Sequence, residues 1–178
     1  MSVSTGRIFI TGFMGAGKTT VAASLARRLN CRLIDLDRFI AAREGRSIQQ
    51  IIDEDGEARF RELETSALRD VLEDDAEAYV VALGGGAWTI EQNRALITEH
   101  DGFTVWLDAP FHVCWQRIRM TRQVRPLARD RQKARRLYDE RRLVYALATL
   151  HVQATKERSA ADKAAEIEYA LLHRRTNI

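Results

Sequence analysis

Two rhythms of apolar residues alternate along the chain. Short runs at 78–83 (AYVVAL) and 103–108 (FTVWLD) are almost continuously apolar, the pattern of strands buried on both faces. Shorter β-rich runs stand at 7–12 (RIFITG), 31–37 (CRLIDLD) and 150–155 (LHVQAT). Between these lie stretches with helical periodicity. In 19–30, Val21, Ala22, Leu25 and Leu29 share one face. Further helices are predicted over 38–44, stopped by Gly45, and over 48–55, with Ser47 as N-cap. Others follow over 57–74, 90–100, 110–119 and 159–175. Strands alternating with helices imply right-handed crossovers and a parallel sheet covered on both sides. The expected architecture is an α/β/α sandwich around a parallel sheet of about five strands. In such sheets ligands bind beyond the carboxyl ends of the strands. Three polar or flexible features sit at predicted strand ends: a glycine loop at 12–17, DLD at 35–37 and GGG at 84–86.

Composition narrows the class. At 178 residues the chain is read as one domain with room for a substantial core. No apolar run approaches the ~20 residues that span a bilayer, and the N-terminus lacks a signal-peptide pattern. Cys31 and Cys114 have no metal-type spacing and read as reduced thiols, which points to a cytoplasmic protein. His100, His112, His151 and His173 are scattered singly, so no metal site built from protein side chains is expected. The net charge of +3 hides an asymmetry: residues 117–142 hold eleven Lys or Arg against three acids. Such a segment fits a solvated helix face, a nucleic-acid patch or a clamp on a small polyphosphate. No aromatic residue intersperses its arginines before Tyr138, which disfavours nucleic acid.

The glycine loop carries the most specific chemistry. GFMGAGKT (12–19) fits G-x-x-x-x-G-K-[ST] and stands between a predicted strand and a predicted helix. Its backbone N–H groups and the following helix N-terminus suit a polyphosphate. Gly12, Met14, Gly15, Ala16, Gly17, Lys18, Thr19 and Thr20 form the expected nucleotide cradle. Lys18 would reach the β- and γ-phosphates, and the Thr19 hydroxyl would meet Mg²⁺. The fold class therefore becomes a P-loop NTPase-type sandwich, and a chain this short suggests a small-molecule kinase.

The remaining motifs are ambiguous one at a time. Asp35 and Asp37 would share one face of a strand, or form a strand-to-helix turn with Asp37 as helix cap. Phosphoryl transfer wants one carboxylate near the metal and another at the incoming hydroxyl. Arg61 and Glu64, at i and i+3, fit a surface ion pair or an arginine aimed at a carboxylate ligand. Gly84, Gly85 and Gly86 allow close backbone approach to a ligand, or a flexible connection.

Taken in order, the P-loop, D-x-D, F-R-x-x-E, G-G-G and R-P-L resemble shikimate kinases over nearly the whole chain. The resemblance implies phosphorylation of the 3-hydroxyl of shikimate by ATP with Mg²⁺, in chorismate and aromatic amino acid biosynthesis. It makes Lys18, Asp37 and Arg125 catalytic, with Asp37 at the ring hydroxyls. Arg61 and Arg141 would grip the substrate carboxylate beside Gly84, Gly85 and Gly86. Thr19 and Asp35 would hold the metal shell. Arg125 would come from a lid at about 117–133, and a helical region at about 38–68 would bind substrate. Arg117 or Arg119 would lie along the adenine, with counting from strand 105–108 favouring Arg117. The resemblance also implies a monomer without nucleic-acid or membrane partners. The chain departs from the family pattern at Ala128 after RPL, in a shorter span from Arg125 to Arg141, and in RRLVY (141–145), which lacks a proline. A gluconate-type kinase and a non-catalytic ligand sensor of the same fold are the competing readings.

Overall fold

A computed structural model describes residues 6–74, 78–120 and 130–174. Strand β1 (Gly6–Thr11) leads through the glycine loop into helix α1 (Lys18–Leu29). Strand β2 (Arg32–Asp35) is followed by α2 (Leu36–Glu44), α3 (Ile48–Asp55) and α4 (Glu57–Leu72). Strand β3 (Ala78–Ala82) runs into a 3₁₀ turn (Ala87–Thr89) and α5 (Glu91–Glu99). Strand β4 (Phe103–Asp108), α6 (Phe111–Met120), α7 (Arg131–Tyr145), β5 (Leu150–Gln153) and α8 (Ala160–Arg174) complete the order.

The five strands form one parallel sheet in the order β2-β3-β1-β4-β5. Strands β3 and β4 are buried on both faces almost throughout, which explains their nearly continuous apolar sequence. The chain leaves β1 toward β2, beyond β3, and leaves β3 toward β4, beyond β1. The loops after these two adjacent strands therefore diverge and open a crevice at their carboxyl ends. The register sets the rim: Ile10 and Asp35 both pair with Ala82, and Thr11 pairs with Trp106.

Local signals explain most boundaries. Gly45 ends α2 at φ +65°, and Ser47 forms a capping box with Gln50 at the start of α3. The strand ending in DLD is shorter than expected. β2 stops at Asp35, whose Oδ1 caps α2 by accepting from the Arg38 N–H at 3.2 Å. Asp37 lies in the first helical turn instead of on a strand. The two aspartates thus do not share a strand face, and the cap is Asp35, not Asp37. An aspartate that ends a strand also satisfies orphan N–H groups, so the helix starts there.

Helix α7 is absent from the sequence-based expectations. Its stripe of Ala134, Leu137, Tyr138 and Tyr145 is narrow, and charges crowd the rest of the surface. Asp130 caps it, accepting from Gln132 and Lys133 N–H. The last turn of α6 and the first of α7 occupy both ends of the anticipated lid; 121–129, with Arg125, lies outside the described residues.

Candidate active site

The glycine loop is packed from behind by the sheet and by α6. At Gly12 (φ +141°) a Cβ would stand 2.8 Å from the Leu107 carbonyl oxygen. At Gly15 (φ +79°) it would stand 2.7 Å from that of Cys114. Backbone cannot move aside as a flexible side chain can, so both positions require glycine for space and conformation. Gly15→Ala is expected to cost about 1–3 kcal/mol and to weaken nucleotide binding together with stability. Thermal unfolding with and without ADP checks both effects.

Lys18 folds across the loop, donating from Nζ to the Gly12 and Phe13 carbonyls at 2.9 and 3.1 Å. The Thr19 hydroxyl donates to Asp35 Oδ2 at 2.9 Å. A cavity of about 170 Å³ opens here. Met14, Gly17, Lys18, Thr19 and Thr20 form its loop side, facing Asp35, Asp37 and Gly85. Gly12 and Ala16 are buried beneath and shape the loop from inside. Arg117 Nη1 donates to the Gly15 carbonyl at 2.9 Å, whereas Arg119 is exposed. Arg117 is the arginine of α6 that touches the phosphate loop.

The glycines after β3 are where the acceptor-side residues meet. A Cβ on Gly84 would be 2.8 Å from both Asp37 Oδ1 and Glu64 Oε1. One on Gly86 would lie 2.5 Å from Arg61 Nη1, and one on Gly85 3.6 Å from Arg141 Nη1 and from the Met14 N. Residues from α2, α4, α7 and the phosphate loop therefore converge on three consecutive glycines. The neighbouring arginines of α7 part company: Arg142 pairs with Asp108 at 2.9 Å and lies over Trp106. Arg141 is left facing the glycines.

Sequence reading overlooked Glu64 as more than the partner of Arg61. Its side chain is 0% exposed, and Oε2 accepts from Arg61 Nη1 at 2.8 Å. Oε1 has no hydrogen-bond partner and points at the Gly84–Asp37 contact. Burial pushes this carboxyl above its ordinary range, against the opposing charge of Arg61. The R-x-x-E spacing carried the signal, but not its depth. Arg61 also pairs with Glu57 at 3.0 Å, and it lies over the Phe60 ring.

No cluster of three His, Cys, Asp or Glu side chains capable of holding a metal occurs among the described residues. The Thr19 hydroxyl and the Asp35 carboxylate instead offer two hard oxygen donors at the cavity wall. That set fits Mg²⁺, which takes few protein ligands and completes its shell with water and phosphate oxygens.

A family model described as shikimate kinase matches residues 14–171. The shikimate kinase of Geobacter sulfurreducens is 42% identical over 172 residues, 94% of this chain and 92% of the relative. That of Salinibacter ruber is 45% identical over 136 residues, 76% of this chain and 65% of the relative. Among solved structures, the Acinetobacter baumannii shikimate kinase in complex with shikimate aligns at a TM-score of 0.85 and 32% identity. The alignment covers 95% of this chain and 94% of that one. A Sinorhizobium meliloti gluconokinase, at TM-score 0.63 and 16% identity, shares the fold.

Proposed function

The chain belongs to the shikimate kinase family, and we propose that it transfers the γ-phosphoryl group of ATP to the 3-hydroxyl of shikimate. ATP and Mg²⁺ are the family's cofactors, and the reaction lies on the route to chorismate and the aromatic amino acids. The single observation that carries the assignment is the packing of Asp37, Arg61, Arg141 and Met14 around Gly84, Gly85 and Gly86. Phosphoryl transfer asks little covalent chemistry of a protein; it asks for alignment and charge neutralisation. A small anionic polyol suits this constellation. Two guanidinium groups match a carboxylate, and a carboxylate matches ring hydroxyls.

The division of labour follows from position. Backbone N–H groups of the loop bind the phosphates, and Lys18 exchanges its carbonyl partners for phosphate oxygens. Thr19 and Asp35 would hold Mg²⁺, which when bound offsets charge on the β- and γ-phosphates. Asp37 accepts the proton of the attacking hydroxyl. Arg61 and Arg141 orient the substrate by its carboxylate, and Arg117 borders the nucleotide. Arg125, which lies outside the described residues, is the group we assign to the transferring phosphoryl. Helices α2–α4 supply the substrate side. The enzyme works as a cytoplasmic monomer without nucleic-acid or membrane partners.

An ADP-release assay across hydroxylated acids tests the reading. Shikimate is expected to support turnover, with gluconate and other sugar acids at background. Preference for gluconate would assign a different acceptor, and no acceptor at all would leave a ligand sensor. Sedimentation over a range of concentrations tests the monomer.

A further inference from the structure

The end of α7 is joined to the glycine stretch through one phenol. Tyr145 is 1% exposed, with its ring tilted against Trp106 at a centroid distance of 6.3 Å. Its hydroxyl donates to the Gly85 carbonyl at 2.5 Å. Arg141, one helical turn earlier on the same face, brings its positive charge to bear on this phenol, and its Nη1 would stand 3.6 Å from a Cβ on Gly85. Arg141 and Tyr145 thus converge on Gly85 from one face of α7. Beside it, Trp88 Nε1 donates to the Val144 carbonyl at 3.1 Å. That second bond ties the Trp88 side chain to the helix backbone and does not involve Arg141, whose neighbour on this face is Tyr145. Burial pushes the phenol up to about 12, so it remains a donor at neutral pH.

We propose that Tyr145 is a positioning residue for substrate binding: its hydroxyl fixes the Arg141 guanidinium and the Gly85 carbonyl relative to each other. The assignment rests on the shikimate reading above, because it takes Arg141 as a carboxylate anchor. A guanidinium on a long flexible stem loses side-chain entropy when it binds. Holding it in place beforehand removes part of that cost from the binding step. The adjacent Arg142 is held by Asp108 and Trp106, so it is not available to substitute.

Tyr145→Phe keeps the ring and its packing and removes only the hydroxyl. The KM for shikimate is expected to rise about tenfold, while kcat and the KM for ATP stay within about twofold. In an Arg141→Met background the same change should alter the shikimate KM by less than about twofold, because its route of action is already gone. An unchanged shikimate KM would overturn the proposal. So would equal rises in both KM values, or fully multiplicative effects in the double variant. A drop in melting temperature without the KM split would mean a purely structural role and would also overturn it. Wild-type enzyme separates the two questions: its failure to phosphorylate shikimate would remove the functional reading and this assignment with it. Normal wild-type turnover beside an unaffected Tyr145→Phe removes the assignment alone.

Discussion

Asp37→Asn is expected to lower kcat by roughly 10²–10⁴-fold, the usual contribution of a general base, with ATP affinity near that of the wild type. The side chain lies on the cavity wall in the first turn of α2, with Oδ1 against Gly84. Asparagine preserves size and most hydrogen bonds but cannot accept a proton at neutral pH. Asp35, not Asp37, caps the helix, so helix α2 should form normally in the variant. Single-turnover phosphoryl transfer, measured beside ADP titration, separates chemistry from nucleotide binding. Turnover equal to wild type would remove Asp37 from the mechanism.

Arg61→Ala should raise the shikimate KM by roughly 10²–10³-fold, the scale of losing one partner of a sheltered charge pair. The ATP KM should change little, because Arg61 faces Gly86 on the acceptor side of the glycine stretch. The reverse pattern would mean that the acceptor and nucleotide sites had been interchanged. In the ligand-free protein one side of the guanidinium meets Glu57, whose side chain is 68% exposed. An exposed pair of this kind contributes little, so a substrate carboxylate can replace it readily. Its other side meets the buried Glu64 and stays in place.

The same variant carries a pH signature. Glu64 already lies above its ordinary value of 4.5 through burial, and removing Arg61 takes away an opposing charge. The folded variant then keeps the Glu64 proton to a higher pH than the unfolded chain does. Both states are protonated well below pH 4.5, where the variant should lose least relative to wild type. As pH rises from there through the folded-state pKa, its stability deficit should grow. Melting temperatures of both proteins from pH 4 to pH 8 read this directly, and a deficit that shrinks with rising pH would contradict it.

Legibility followed the range of the interaction. The buried strands, the capped helices α2 and α3, and the phosphate loop follow from residues within a few positions of one another. Water partitioning and backbone hydrogen bonding act on that scale. Helix α7 escaped because arginines swamped the narrow stripe of Ala134, Leu137, Tyr138 and Tyr145. The strand assigned to Asp37 failed for a related reason: an aspartate suits both a strand end and a helix start, and local pattern cannot rank them.

The sequence by itself determined a parallel α/β sheet, a polyphosphate loop at the end of its first strand, and a set of acidic, basic and glycine motifs at later strand ends. Tertiary structure alone decided which members of each set meet. It turned Arg117 toward Gly15 and left Arg119 in solvent; it aimed Arg141 at Gly85 and gave Arg142 to Asp108. It also sank Glu64 beneath the glycines and set Tyr145 between loop and helix. Periodicity places residues on one face of a helix, but the direction of that face depends on the helix's rotation against the sheet. That rotation is fixed by packing among residues far apart in the chain, where no local pattern records it.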